Sequence, residues 1–192
     1  MADHHPAPRP DGKLSITITY LELAAADWTR RGTAPGIDIA IELQQAPTVA
    51  FYRDLYDRVG LPWLWYERRL MSDEMLAALL ARPDHEVHVA RHVAGHGGEL
   101  VGYFELGDGE LVFFGLTLPY IGRRIGPWLL DRAIERGFAT GARKLLLNTN
   151  TLDHPKALDT YCKAGFRIVS RETVELQDPR VMWPDLYRWP SL

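Results

Sequence analysis

The chain has 192 residues and a mass of 21.8 kDa, with 46% hydrophobic and 24% charged residues, the composition of an ordinary globular domain. A net charge of -3 and a pI near 6.2 give no electrostatic case for nucleic acid or an anionic membrane surface. No apolar stretch, Leu61–Tyr66 included, approaches the roughly 18 residues of a membrane span. The single cysteine, Cys162, excludes an internal disulfide framework and a Cys-rich zinc site. With a polar, Pro-rich start that lacks the apolar stretch of a signal peptide, these facts point to a cytoplasmic protein.

Residues 1–13 are aperiodic and read as a flexible tail ahead of one domain over 14–192. From Leu14, LSITITYLEL sets Ile16, Ile18 and Tyr20 against Thr17 and Thr19, the alternation of a half-buried strand. Residues 27–47 hold Gly32, Pro35, Gly36 and Pro47 around Ile37–Leu43 and predict a long loop with a short strand or turn inside it. Val49, Tyr52 and Tyr56 predict a helix over Thr48–Val59, stopped by Gly60. Ser72, with Asp73 and Glu74 behind it, opens a second helix that Pro83 ends.

Three strands follow at Glu86–Val93, Leu100–Leu106 and Glu110–Leu118, joined by glycine turns at Gly95–Gly98 and Gly107–Gly109. From Gly126 the stripe of Leu129, Leu130, Ala133, Ile134, Gly137 and Phe138 is helical, and Gly141 closes it. Lys144–Asn150, with three consecutive leucines, predicts a strand covered on both faces. Pro155–Ala164, capped by Asp153 or His154 and stopped by Gly165, is a further helix, and Phe166–Val174 a last strand. The order implies an α/β fold: a mixed, mostly antiparallel sheet with one parallel crossover from Glu110 to Asn150 and flanking helices. The aromatic, Pro-rich end after Gln177 matches no element.

Chemistry concentrates in residues 110–166. In GLTLPYIGRRIGPWLLDRAI a strand gives way to a turn bearing glycine and arginine, and then to a helix. Free N–H groups and the dipole at such a helix start suit a pyrophosphate, and Arg123 and Arg124 add charge there; by itself the same turn also reads as simple packing and capping. In TLDHPKALDTYCKAGF, His154, Ala157, Tyr161 and Gly165-Phe166 recur at fixed spacing on the next helix.

Together the two segments resemble the GNAT acetyltransferase family. The hexad Ile121-Gly122-Arg123-Arg124-Ile125-Gly126 is similar to the family's Q/R-x-x-G-x-G/A turn, and the second segment to N-x-x-A-x-x-x-Y-x-x-x-G-F. Departures are Ile121 for Gln or Arg, Arg124 at the first glycine, Pro127 where a donor is lost, and His154 for Asn. Arg124 either obstructs the backbone's approach to phosphate or grips phosphate itself.

The resemblance implies that the strand at 110–118 and the strand at 144–150 splay apart and admit acetyl-CoA as co-substrate. Its expected contacts are Leu116, Thr117, Leu118, Arg123, Arg124, Ile125, Gly126, Pro127, Asn148, His154, Ala157 and Tyr161. A backbone N–H near Leu116 is expected to polarise the thioester carbonyl, and Tyr161 to act as acid toward the leaving thiolate; the bland alternative for Tyr161 is a core aromatic. Glu110 is the expected base, ahead of Glu105 and Glu22. Tyr20, Glu22, Trp28, Trp63 and Tyr66 are expected to meet the acceptor, a small-molecule or peptide primary amine.

Nucleic acid, membrane and metal play no part in this reading. His85, His88, His92 and His96 miss zinc spacing and read as surface residues, and Cys162 as a buried filler. Trp63, Trp65 and Tyr66 either wall a pocket or fill the core. Two other functions stay open: a CoA-binding sensor without turnover, and an interaction domain that forms a homodimer through the aromatic segment Trp183–Trp189.

Overall fold

The computed structural model describes residues 5–93 and 98–187. Its strands are β1 (Lys13–Ala24), β2 (Ile39–Gln44), β3 (Glu86–His92), β4 (Glu99–Gly107), β5 (Glu110–Leu116), β6 (Lys144–Asn150) and β7 (Arg167–Gln177). Helices are α1 (Val49–Gly60), α2 (Asp73–Leu80), α3 (Ile125–Ala139), α4 (Ala157–Ala164) and the single turn α5 (Pro179–Met182). The strands form one sheet in the order β2-β3-β4-β5-β6-β1-β7. All neighbours are antiparallel except β5 and β6, whose parallel pairing is what the α3 crossover permits.

Local signals set the helices. Thr48 caps α1 by accepting from Phe51 N–H, 3.3 Å, and Ser72 caps α2 by accepting from Met75 N–H, 3.2 Å. Helix α1 turns Tyr52, Leu55, Tyr56 and Val59 inward, where they meet Val87, Val89 and Tyr103 on one face of the sheet. Helices α3 and α4 cover the other face with Leu129, Leu130, Ala133, Ile134 and Tyr161 against Leu21, Leu23, Leu145 and Leu147. At roughly 1.5–3 kcal/mol for each fully buried large aliphatic side chain, these two layers dominate the stability. Gly137 is needed for the close approach of α3 to β6, because a Cβ there would lie 2.9 Å from Leu145 Cδ1.

Two expectations are corrected and one left open is resolved. The leucine run of β6 alternates, so Leu145 and Leu147 are buried while Leu146 is 45% exposed: the α1 layer stops at β5 and leaves that face of β6 open. The segment Ile37–Leu43, left between strand and turn, is edge strand β2 beside β3. His85 and His88 are buried rather than superficial, His88 stacking on Phe104 at 4.6 Å, while Cys162 is exposed. His96 and Trp189 lie outside the described residues.

Strand β1 takes the place least expected from chain order. It is inserted between β6 and β7 and pairs with both along most of its length. Beyond β7, Asp178 caps α5 and Tyr187 Oη donates to Trp65 O, 2.6 Å.

Candidate active site

Strands β5 and β6 pair only at Glu110 and Leu146, where Leu146 N–H donates to Gly109 O, 3.0 Å. Past that point they part. The cause is local: Leu106 faces Leu111 and Glu105 faces Phe113, so Val112 is an extra residue, and such a bulge bends and twists its strand. The gap opens into a cavity of about 660 Å³ walled by Phe113–Leu116 of β5, Asn148 and Asn150 of β6, the first turn of α3, and α4. Thr117 N–H donates to Val101 O, 2.9 Å, on the β4 side. Hydrogen-bonding direction alternates along a strand, so the N–H groups of Phe114 and Leu116 point into the gap.

The turn that enters α3 has Gly122 at φ +82° and Arg124 at φ +61°, both left-handed. Arg124 occupies the N-cap position without a side-chain cap, which leaves the first amides of α3 for another acceptor; Pro127 contributes none. Arg124 is exposed and lines the cavity, whereas Arg123 turns back over the Tyr120 ring at 5.3 Å. A Cβ on Gly126 would meet only Leu116 Cδ1, at 3.9 Å.

Across the gap, α4 ends at Gly165, whose φ of +110° only glycine adopts readily. Tyr161 is 8% exposed, with its ring set edge-on to Phe114 and Phe166 at 6.2 and 6.3 Å. Burial, then the negative charge of Asp153, push its hydroxyl above the ordinary tyrosine range, so it remains an O–H donor at neutral pH. Asp153 ties the site together, accepting from Trp65 Nε1 (3.0 Å), Thr149 Oγ1 (2.6 Å) and Asn150 N–H (3.0 Å). His154 lies edge-on to Trp63 at 5.1 Å, and its Nδ1 accepts from Lys156 N–H, 3.1 Å.

The sequence profile of the acetyltransferase (GNAT) family matches residues 50–166, more than half of the chain and all of this cleft except Arg31 and Gly32. The protein belongs to the GNAT family. Among solved structures, the GCN5-related N-acetyltransferase of Sphaerobacter thermophilus aligns with a TM-score of 0.58 at 19% identity, over 86% of this chain and 52% of that one. A conserved protein of Staphylococcus epidermidis, described as functionally unknown, aligns with a TM-score of 0.57 at 16% identity, over 87% and 64%. A soil-metagenome aminoglycoside acetyltransferase, meta-AAC0020 in complex with sisomicin, aligns with a TM-score of 0.52 at 14% identity, over 66% and 87%. Identities this low speak for the fold. The chain spans about half to two thirds of the length of the first two structures. No curated protein matches it.

Within this GNAT cleft the structure brings together Leu116, Arg124, Gly126, Pro127, Asn148, His154, Ala157, Tyr161 and Trp63, all cavity-lining. Other expected contacts face elsewhere. Thr117 is bonded to β4, Leu118 packs in the α1 layer, Ile125 is core and Arg123 stacks outward. Glu110 lies at the point where β5 and β6 pair, half-buried and outside the cavity lining; burial raises its pKa, opposed by Asn148 Nδ2, which donates to it at 3.1 Å. Glu105, by contrast, is 0% exposed and holds Arg68 and the Tyr52 hydroxyl, with His85 Nε2 at 3.0 Å.

The expected acceptor residues divide. Strand β1 lies beyond β6, so Tyr20 bonds Glu172 and Glu22 pairs with Lys144 at 2.7 Å. Trp28 packs on Phe138 of α3, ring centroids 6.2 Å apart, and the Tyr66 N–H donates to Glu67. The cavity also takes in Trp65, which the sequence left between pocket wall and core, and residues not read as site members: Glu67, Phe113, Asp153 and Arg31. Only Trp65 carried a sequence signal, as the neighbour of Trp63; the others arrive through tertiary contacts.

Proposed function

We propose that the protein is an N-acetyltransferase that moves an acetyl group from acetyl-CoA to a primary amine inside the β5/β6 cleft. The observation that carries the reading is the single-point pairing of those strands, which leaves β5 amides directed into an open gap. Acetyl-CoA fits the residues present: uncapped amides begin α3, open space lies over Gly126, and Arg124 stands on the cavity wall.

When bound, acetyl-CoA supplies an activated acyl thioester. In this reading Leu116 N–H donates to the acyl oxygen as its charge grows. Glu110 accepts a proton from the incoming ammonium, a role that a raised carboxylate pKa favours. As the amine nitrogen bonds the acyl carbon and the carbon–sulfur bond breaks, Tyr161 Oη donates its proton to the departing sulfur, and the proton the nitrogen sheds on becoming an amide restores the phenol through solvent. Trp63, Trp65 and Phe113, with Glu67 and Asp153, make an aromatic and acidic wall that suits a cationic amine with an apolar body.

Arg124 and Pro127 favour one second reading, a CoA sensor without turnover, because both depart from an unobstructed phosphate seat. Calorimetry with acetyl-CoA and CoA, followed by thiol release against an amine panel, separates the two. Micromolar binding with amine-dependent thiol release is the expected result. Binding without release under every amine favours the sensor, and no binding at all defeats both.

A further inference from the structure

Residues 28–32, Trp-Thr-Arg-Arg-Gly, lie along α3 and run against its direction. Trp28 packs on Phe138, Arg30 pairs with Glu135, and the N–H groups of Arg31 and Gly32 both donate to Asp131, the former at 2.9 Å. Gly32 then abuts the first turn, where a Cβ would fall 2.6 Å from Trp128 Cα and 2.7 Å from Pro127 O. Positions 138, 135, 131 and 127–128 recur every three or four residues, so one face of α3 receives the whole segment. A carboxylate that is 2% exposed is committed to holding two loop amides. This is a built strap.

The strap delivers Arg31 to the cavity wall. Arg31 Nη1 donates to Lys163 O, 2.8 Å, on the last turn of α4, which spans the groove between the two helices. Lys163 is neutralised by Asp159 at 2.6 Å, whereas no carboxylate pairs with the Arg31 guanidinium among the described residues. An arginine held this way keeps further N–H groups for a second acceptor.

We propose that the strap clamps the nucleotide end of the acyl-CoA, with Arg31 binding the ribose 3′-phosphate; this rests on the acetyl-CoA reading above. The amides opening α3 serve a diphosphate, and Arg31 stands instead over the end of α4, where CoA's remaining phosphate is the anion left to bind. A guanidinium matches a phosphate monoester bidentately.

The test is calorimetric titration of the full chain and of Arg31→Gln with CoA and with 3′-dephospho-CoA at low ionic strength. The wild type should prefer CoA by about tenfold, the scale of one charge-assisted contact. Arg31→Gln should reduce that preference to about twofold or less, leave the 3′-dephospho-CoA affinity unchanged, and keep its melting temperature, since the backbone bond to Asp131 persists. Arg31→Lys should restore part of the preference. Equal wild-type affinity for both ligands overturns the assignment. So does a preference that survives in Arg31→Gln, or an equal loss of both ligands, which would make the strap only a prop for α3. Failure of the wild type to bind either ligand removes the acyl-CoA reading itself, and the clamp with it.

Discussion

Gly126 offers a way to separate stability from ligand binding with two side-chain sizes. It is the second residue of α3, in helical conformation, and an added Cβ would touch nothing closer than Leu116 Cδ1 at 3.9 Å, an ordinary contact. Gly126→Ala therefore introduces no strain. Alanine exceeds glycine in helix propensity by up to about 1 kcal/mol, somewhat less in a first turn. For a chain of this size 1 kcal/mol corresponds to roughly 2–4 °C, so the melting temperature should rise by about 1–3 °C. The family's turn takes glycine or alanine at this position, so the methyl should leave CoA affinity within about twofold, whereas the bulkier Gly126→Leu should obstruct the α3 amides and lower it by about tenfold or more, ~1.4 kcal/mol per decade. Thermal melting and CoA calorimetry on one preparation read both effects. Unchanged CoA affinity in Gly126→Leu would refute the phosphate seat at this helix start.

Three further outcomes follow from the site and its surroundings. Tyr161→Phe keeps the ring packing on Phe114 and Phe166, so thiol release should slow about 10–100-fold with CoA affinity nearly constant; unchanged turnover excludes the acid role. Glu110 works as a base only when deprotonated, and its pKa is raised by burial. Its kcat/KM should accordingly fall on acidification with an inflection above 4.5, the ordinary glutamate value, and Glu110→Gln should erase that limb; a retained limb assigns the base elsewhere. Glu105→Gln leaves Arg68 buried without its counter-charge, at a cost of about 3–5 kcal/mol in urea denaturation. Burial raises the Glu105 pKa, but the His85 hydrogen bond and the Arg68 charge outweigh it and leave it lowered, so this stabilisation is present above the ordinary carboxylate range and is lost as pH falls through the folded-state value; a loss below ~1 kcal/mol contradicts the paired assignment.

The parts of the cleft that were legible are those written in short spacings. The Gly122–Gly126 turn is marked by glycines that need an unusual φ or leave space, and the α4 stripe by Tyr161, Ala164 and Gly165 at helical intervals. What was not legible depends on partners far away in sequence. Nothing local distinguishes Leu146 from Leu145; its exposure follows from where the α1 layer ends. Tyr20 and Glu22 sit on a convincing strand, yet that strand's position is fixed by pairing with residues 144–177. Asp153 reads as a helix cap, and its bond to Trp65 spans 88 residues. Arg31 belongs to a Pro/Gly-bearing loop with no periodicity, and distant partners, Asp131, Glu135 and Phe138, give that loop its path.

The insertion of β1 between β6 and β7 has a consequence for biosynthesis. Residues 13–24 are synthesised well before their hydrogen-bonding neighbours, residues 144–150 and 167–177. At roughly 5–20 residues per second, this nascent strand waits about six to thirty seconds with both edges unsatisfied. Leu14, Ile16, Leu21 and Leu23, all buried in the finished fold, are uncovered during that interval. A transiently bare, apolar edge of this kind invites pairing with other chains, so overexpression at lowered temperature or with a holdase chaperone should raise the soluble yield.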